Sequence, residues 1–233
     1  MTNFSNISVI GCGRWGGFLG YYCAKYLKSN VLFLGVPQDP AYQSLVKTGN
    51  NGYCQMPKNV SLTTDMAECL KNDFIIVSIG CQAFRGLCRQ MAQYDLKGKT
   101  FLLAMKGLEE KTSARMSQIF HQEIHEPTAQ VACLMGPGHV QDYLKEIPSC
   151  VVIDSENQDT TQEIAQFMNS HLIRTYYGSD LIGNEFKNDF IRDSVVFEIL
   201  EPATTTGSNI AIGVIAPVLP TWNIISFNNF LLL

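Results

Sequence analysis

The chain of 233 residues has few charged side chains and no excess of positive ones. Charged residues make up 16% of it, against about 25% in an average soluble domain, and the formal net charge is −4. A nucleic-acid partner is therefore not expected, because such proteins carry a positive field on their binding face. Hydrophobic residues make up 46%, which excludes general disorder. The length suits one domain, or one domain with a fragment of a second.

The cysteines form no C-x-x-C pair, so neither a zinc ribbon nor a thioredoxin-type redox site is expected. Several lie in apolar runs, as Cys133 and Cys150 do, and we expect buried, reduced thiols. Cys12 lies in a glycine-rich segment, where a helix N-terminus could lower its pKa and permit redox sensing; a buried, inert thiol is the alternative. The sequence shows no signal peptide, so we expect a cytoplasmic location rather than a membrane one.

Apolar runs alternate with segments of helical spacing along the first three-quarters of the chain. The runs predict strands at Ile7–Ile10, Val31–Leu34, Phe74–Ile79, Phe101–Met105, Val131–Met135, Cys150–Ile153 and Ile173–Tyr177. Helices are predicted at Trp15–Leu27, Asp65–Leu70, Ala83–Tyr94, Lys111–Ile124 and Thr160–Leu172. The alternation favours an α/β fold with a Rossmann-type, doubly wound, mainly parallel sheet. The runs are apolar throughout, which is typical of strands buried on both faces.

A glycine-rich turn, Gly11-Cys-Gly13-Arg-Trp-Gly16, follows the first predicted strand and opens the first predicted helix. In this context the first glycine permits a tight turn and Gly13 lets the backbone approach a pyrophosphate. Gly16 allows the helix to pack closely on the strand. The helix N-terminus then offers free N–H groups and a partial positive charge to phosphates. The turn therefore predicts a dinucleotide-binding site for NAD or NADP.

The residues after the second predicted strand bear on the choice between the two cofactors. An acidic residue there favours the ribose hydroxyl of NAD, and an arginine accommodates the phosphate of NADP. Val36 is neither, and Asp39 lies a few residues late. No Arg or Lys occurs between Lys28 and Lys47, which favours NAD slightly.

Motifs in a fixed order extend this interpretation. They are Val9–Gly16, Met105-Lys-Gly-Leu-Glu109, Met135-Gly-Pro-Gly-His-Val140 and Ser179-Asp-Leu-Ile-Gly-Asn-Glu185. Together they resemble the N-terminal domain of the bacterial NAD(P)-dependent glycerol-3-phosphate dehydrogenases, over about residues 7–185. The resemblance implies reversible reduction of dihydroxyacetone phosphate to sn-glycerol 3-phosphate by NAD(P)H, which feeds phospholipid synthesis. It also implies these two metabolites as ligands and a homodimer as the candidate assembly.

The resemblance assigns roles to matching positions. Cofactor contacts are implied for Gly11, Gly13, Arg14, Trp15, Gly16, Val36, Lys106 and Val140. Substrate contacts are implied for Lys106, Gly136 and Gly138. Lys106 would also act in catalysis, because an ammonium group can stabilise a developing oxyanion; a solvated lysine after a strand is the alternative. Many relatives have Ser or Thr where Gly138 stands, so one side-chain contact is expected to be missing.

The resemblance breaks after Glu185. In the family a longer helix leads to a Lys-Asn pair whose lysine is the proposed general base. Lys187 matches only if about five residues are deleted, which exceeds one helical turn, so Lys187 is a candidate catalytic residue and an accidental match is the alternative. The family's substrate-phosphate residues are not found. Hence a non-catalytic NAD(H)-binding domain, or pseudoenzyme fragment, stays open beside the dehydrogenase.

The remaining sequence differs in composition from what precedes it. Residues 202–233 carry no charged side chain. We therefore expect a Rossmann domain over residues 1–178, and over 179–233 a linking-helix start followed by an aberrant apolar tail in place of the helical substrate domain. A truncated or frameshifted reading frame would have this composition. The tail is no clean membrane span, since Pro217, Pro220 and several Asn interrupt it.

Three histidines are further candidate site residues. His121 and His125 are spaced i and i+4 on a predicted helix and could hold a metal, but no third ligand is evident. A solvated helix end is the alternative. His139 follows the Gly-Pro-Gly turn and is a candidate to face the substrate, with a structural role as the alternative.

Overall fold

The computed structural model describes residues 4–136, 138–190, 195–199 and 211–215. The strands are β1 Asn6–Ile10, β2 Asn30–Leu34, β3 Val60–Thr63, β4 Phe74–Val77, β5 Thr100–Leu103, β6 Gln130–Met135, β7 Ser149–Ser155, β8 Ile173–Tyr177, β9 Val195–Ile199 and β10 Ala211–Ile215. The helices are α1 Arg14–Lys25, α2 Pro40–Thr48, α3 Met66–Cys69, α4 Cys81–Met91, α5 Met116–Glu123, α6 Val140–Leu144, α7 Gln158–Met168 and α8 Leu181–Phe190.

One sheet organises these elements. Its strands lie in the order β3-β2-β1-β4-β5-β6-β7-β8. Neighbouring strands pair in parallel except β6 and β7, which are antiparallel. The chain order reverses at β1, since β2 lies on one side of it and β4 on the other, and this is the doubly wound arrangement. The predicted Rossmann-type, mainly parallel sheet is therefore confirmed.

Both faces of the sheet are covered by apolar side chains. Strand β4 shows this most clearly, because all four of its side chains are buried. Phe74 and Ile76 join a cluster on one face that includes Phe18 of α1. Ile75 and Val77 join a cluster on the other face, with side chains from α4 and α5. The continuous apolar run in the sequence thus reflects burial on both sides, as predicted.

The structure contains elements that the apolar pattern did not predict. Strand β3 is a sheet edge, and its half-exposed Val-Ser-Leu-Thr sequence lacks an apolar run. Helices α2 and α6 are short and were also missed. The helix predicted at Lys111–Ile124 begins only at Met116. Residues 109–114 instead fold into a turn, closed by hydrogen bonds from Ser113 N to Glu109 O and from Glu109 N to Ala114 O.

All eight cysteines are unpaired, and six of them are buried, as predicted. Cys81 and Cys150 are half-buried, so the expected full burial of Cys150 is wrong, whereas that of Cys133 is confirmed. No helix within the described ranges is long and apolar enough to cross a membrane.

A second sheet pairs β9 and β10 antiparallel, with Val195 opposite Ile215. The predicted apolar tail, residues 202–233, otherwise lies outside the described part of the chain. The expectation of an aberrant apolar tail in place of a helical substrate domain therefore stays a prediction.

Candidate functional site

The candidate site lies at the sheet edge where β1, β4, β5 and β6 end, because parallel strands present their carboxyl ends together. Between β1 and β4 the chain leaves the sheet in opposite directions, and such a switch point opens a crevice. The loops around it begin at Gly11, Ser78, Ala104 and Gly136. These loops hold the sequence motifs, so the fold brings the predicted site residues to one edge.

Two glycines of the first loop are required by close packing. Gly11 has φ +109°, and a Cβ on it would lie 2.1 Å from the carbonyl oxygen of Ser78. A Cβ on Gly16 would lie 2.3 Å from the carbonyl oxygen of Gly11. No side chain fits at either position without moving the backbone. Both glycines therefore hold the turn between β1 and α1 closed against β4, as the sequence predicts.

Gly13 differs from them, because nothing lies within 4 Å of the position a Cβ would take. It is the N-cap residue of α1, where no side chain caps the helix and the first turn holds no acidic residue. The α1 N-terminus therefore keeps its partial positive charge beneath open space. The open space at Gly13 and the α1 N-terminus together form a phosphate cradle. This cradle fits the pyrophosphate of a dinucleotide, which needs unblocked N–H groups and no side chain at Gly13.

Three other helices around this sheet have a side-chain cap at the N-terminus. Asp39, Asp65 and Asn157 accept backbone hydrogen bonds at the N-termini of α2, α3 and α7. The α4 N-terminus, at Gly80 beside the switch point, again has no side-chain cap. Among α1 to α7, helices α5 and α6 also have no side-chain cap, so the N-termini of α1 and α4 at the crevice are two of the four helix ends left open in this way.

A side chain that the sequence reading missed holds the glycine turn in place. Asn51 is buried and its Nδ2 donates to the carbonyl oxygens of Cys12 and Gly13, both at 3.1 Å. The neighbouring Tyr53 receives the Arg14 Nη2 donor at 3.1 Å, and the guanidinium stacks 4.8 Å from the ring centre. The loop after α2 therefore forms one wall beside the α1 N-terminus. No motif at Asn51 suggested this contact.

Arg14 and Trp15 are both placed at the α1 N-terminus, where the resemblance puts them. Arg14 is exposed, so its charge is available at the crevice. Trp15 is half-buried and stacks on Phe18, with ring centres 5.6 Å apart. Their contacts with a cofactor stay predictions.

The tip of β2 offers no charged group to a ribose. Val36 is 60% exposed, in keeping with its predicted place at the cofactor edge. The Asp39 carboxylate accepts a hydrogen bond from Ala41 N at 2.9 Å and so serves as the cap of α2. The preference between NAD and NADP is therefore not decided by these residues.

The proposed activation of Cys12 is wrong. Its side chain is fully buried, and burial raises the pKa of the Cys12 thiol to about 12, with a further upward contribution from Asp39. A thiol with so high a pKa stays protonated and inert at neutral pH, so the buried alternative is confirmed.

Lys106 lies exposed in the loop after β5, at the same edge. The following Gly107 has φ +117°, and a Cβ there would meet Cys81 Sγ at 2.5 Å. Gln82 ties this loop to α4: its Nε2 donates to Leu108 O at 2.8 Å, and its Oε1 accepts from Glu110 N at 3.0 Å. The loop that carries Lys106 is therefore fixed at its backbone.

The Glu109 side chain adds an ionic anchor to the same loop. Arg85 of α4 forms a bidentate ion pair with the Glu109 carboxylate. Its Nε donates to Oε1 and its Nη2 donates to Oε2, each at 2.7 Å. Thr112 also donates to this carboxylate, and Arg85 reaches Glu123 of α5 at 2.5 Å. The Arg85 hydrogen bonds, together with that of Thr112, lower the pKa of Glu109 to about 2. The final residue of the Lys106-Gly-Leu-Glu109 motif is thus a structural anchor.

This anchor predicts a pH-dependent stability. The pKa of Glu109 is depressed in the folded state, so its stabilisation is present above about pH 4.5 and is lost as the pH falls toward 2. We expect Glu109→Gln to lower the melting temperature at pH 7, with the difference from wild type shrinking below pH 4.5. Thermal melts between pH 7 and pH 3 measure this. Glu110→Gln, at the exposed neighbour, is the control. A difference that stays constant with pH would contradict the assignment.

The turn after β6 carries the next predicted residues. Gly136 has φ +151°, and a Cβ there would lie 3.0 Å from the carbonyl oxygen of Cys150. The Gly138 Cβ position is filled by Tyr143. Val140 is buried in the core at the start of α6, so any ligand contact would come from its backbone. His139 is exposed at the α6 N-cap, where its side chain makes no capping hydrogen bond.

Helix α8 is fixed by two buried acidic groups. Asp154 accepts hydrogen bonds from Asn184 Nδ2 at 2.7 Å and from Asp180 N at 3.1 Å, and burial raises the pKa of Asp154. Glu185 accepts from Arg115 Nη1 at 2.5 Å and from Ser117 N at 3.0 Å. The last motif therefore docks α8 on α5. The motif was recognised in the sequence, but the Glu185 contacts were not predicted.

Lys187 lies on α8, two residues after Glu185. Its backbone is helical, as in the family pattern that the sequence suggested. Its role as a base stays a prediction. The histidine pair shows no third ligand: within the described part of the chain, no three metal-binding side chains converge. His121 instead lies 3.6 Å from the Glu156 carboxylate, at an exposed position.

The sheet order, the tight glycine turn and the uncapped α1 N-terminus define a Rossmann-type dinucleotide-binding fold of the dehydrogenase class. The chain belongs to a family within that class. The sequence model described as "NAD-dependent glycerol-3-phosphate dehydrogenase N-terminus" matches residues 6–161. The family resemblance read from the ordered motifs is therefore confirmed.

Individual similar proteins carry the name of the same family. Glycerol-3-phosphate dehydrogenase [NAD(P)+] of Parvibaculum lavamentivorans is 27% identical over 187 residues, which cover 78% of this chain and 55% of that protein. The protein of the same name from Clostridium tetani is 31% identical over 131 residues, covering 56% of this chain and 37% of that one. The chain thus spans about half the length of the curated relatives it matches.

A solved structure supports the fold. The glycerol-3-phosphate dehydrogenase of Coxiella burnetii matches with a TM-score of 0.71 at 20% identity, over 78% of this chain and 56% of that one. At this identity the match speaks for the fold alone.

Proposed function

We propose that this chain is the dinucleotide-binding part of an NAD(P)-dependent glycerol-3-phosphate dehydrogenase. One observation carries the proposal: the open space above Gly13 at an uncapped α1 N-terminus, in a chain of this family. A domain over residues 1–178 would hold NAD or NADP there, with a slight preference for NAD. When bound, the nicotinamide ring would supply the hydride for reduction of dihydroxyacetone phosphate.

Different residues at this edge of the sheet would bind the cofactor and the substrate. Gly11, Gly13 and Gly16 shape the phosphate cradle, with Arg14 and Trp15 beside it. Lys106 would bind the anionic substrate and stabilise the negative charge that develops on its carbonyl oxygen. The backbone at Gly136 and Gly138 would contact the substrate, and that at Val140 the cofactor.

As it stands, the chain would bind dinucleotide but turn over slowly, if at all. The matching relatives extend well beyond the matched region, and a substrate-phosphate site is not found in the sequence. Positioning of the substrate and general acid–base catalysis normally supply several kcal/mol of barrier lowering. The second candidate is a non-catalytic NAD(H)-binding domain, because the sequence after Glu185 departs from the family's pattern. Cytoplasmic location and a homodimer stay predictions.

Dihydroxyacetone-phosphate-dependent oxidation of NADH and NADPH by the purified chain tests this, followed by loss of reduced-nicotinamide absorbance. We expect no measurable turnover together with retained NADH binding. Turnover that Lys187→Ala abolishes would show that α8 delivers a base, and the proposed impairment would be wrong. Absence of both binding and turnover would contradict the proposed function itself.

A further inference from the structure

Tyr143 on α6 combines full burial with an unsatisfied hydroxyl. The side chain is 1% exposed, and its ring stacks on Phe18 with centres 4.8 Å apart. Within the described part of the chain no group meets hydrogen-bond geometry with the hydroxyl, although the Ser149 side chain is close enough to interact with it. Buried hydroxyls in folded proteins nearly always have such a partner, since water no longer supplies one.

The hydroxyl lies directly beneath the turn after β6. A Cβ on Gly138 would lie 2.6 Å from the Tyr143 hydroxyl and 3.1 Å from Trp15 Cη2. Gly138 itself is half-buried. Because this residue has no side chain, the hydroxyl packs directly against the turn at Gly138. The hydroxyl therefore occupies space that a residue 138 side chain would otherwise fill.

Ring packing alone does not explain a tyrosine here. Phenylalanine would make the same stack on Phe18 without leaving a polar atom unpaired. Burial raises the pKa of Tyr143 to about 12, with Ser149 acting in the opposite direction. The hydroxyl is thus protonated at neutral pH and would donate to an acceptor oxygen.

The position of the turn indicates which part of a dinucleotide is near. Strand β6 is the third strand from β1, which places its end about 14 Å from the glycine turn at a spacing of about 4.8 Å per strand. A pyrophosphate at Gly13 would leave the nicotinamide half to extend across β4 and β5 toward this turn. The adenosine half would extend the other way, toward β2 and Val36.

We propose that the Tyr143 hydroxyl donates a hydrogen bond to an oxygen of the nicotinamide half of the bound dinucleotide, beside the turn at Gly138. The proposal rests on the proposed function, because it presupposes a dinucleotide at the crevice. Tyr143 would then be a ligand-binding residue that no sequence motif marks.

Tyr143→Phe in the full chain tests the proposal, with affinities for NADH and ADP and the melting temperature of the free protein as readouts. We expect NADH to bind about five-fold more weakly, as for one lost hydrogen bond. Affinity for ADP, which lacks the nicotinamide half, should not change. The melting temperature should stay level or rise, because an unpaired polar atom is removed.

Tyr22→Phe is the matched control. The Tyr22 hydroxyl donates to Met168 O at 2.7 Å and lies 2.7 Å from Ser170 Oγ, so its partners are protein groups. This variant should lower the melting temperature and leave both affinities unchanged.

Two results for Tyr143→Phe would overturn the proposal. Unchanged NADH affinity would mean that the hydroxyl has no ligand partner. Equal weakening of NADH and ADP together with a lower melting temperature would mean a structural role. If the wild-type chain binds neither ligand, the proposed function fails and this proposal falls with it. Wild-type binding of both ligands separates the two failures.

Discussion

Gly13→Asp is expected to abolish dinucleotide binding without weakening the fold. Gly13 has φ −64° and ψ −168°, which any residue can adopt, and no atom blocks a side chain there. Asp is also a favoured N-cap residue, so α1 should gain a cap. The same carboxylate would occupy the cradle and repel the pyrophosphate. Two like charges about 4 Å apart repel by roughly 4 kcal/mol near a protein surface, so affinity should fall at least about a hundred-fold.

Titration with NADH and a thermal melt measure the two halves of this prediction. Gly86→Asp is the matched control, because Gly86 lies exposed on α4 and nothing lies within 4 Å of its Cβ position. That variant should bind NADH as the wild type does. Retained binding in Gly13→Asp would show that the α1 N-terminus is not the phosphate site.

Gly11→Ala is expected to have the largest effect on stability. The added methyl would lie 2.1 Å from the Ser78 carbonyl oxygen, at a backbone φ of +109°. Strain at such a φ and a backbone clash each cost on the order of 1–3 kcal/mol, so we expect a loss of about 3 kcal/mol or more. Chemical denaturation gives the change in the free energy of unfolding.

Gly13→Ala provides the comparison for that loss. The same methyl group meets nothing at Gly13, so its stability should stay within about 1 kcal/mol of wild type. Equal stability losses in the two variants would contradict the different roles assigned to the two glycines.

The sheet was predictable from the sequence where burial alone decides the structure. Strand β4 lies at the centre of the sheet and is apolar at every position, and its short length and β-branched residues favour a strand over a buried helix. The glycine turn was predictable because its geometry depends on local sterics. Strand β3 was missed because an edge strand needs no apolar run.

Asp39, at the start of helix α2, fits two different roles in the sequence. Asp39 followed by Pro40 is a good start signal for a helix, an N-cap with proline in the first turn. The same aspartate follows the β2 tip, where an acidic residue would be expected to bind the ribose of NAD. The structure shows the carboxylate engaged as the cap, and no local pattern could have ranked these two uses.

The anchors of the site depend on contacts between residues far apart in the sequence. Arg85 and Glu109 are 24 residues apart, and Glu185 meets Ser117 across 68 residues. Neither pairing leaves a trace in hydrophobic periodicity. The motifs named Glu109 and Glu185, but only the fold shows that they hold loops rather than ligands.

Titration of the purified full chain with NADH, followed by nicotinamide fluorescence, tests the central claim most directly. We expect saturable binding of one NADH per chain, competed by ADP and lost in Gly13→Asp. A folded wild-type chain that shows no saturable binding would contradict it, and the crevice between β1 and β4 would then need another ligand.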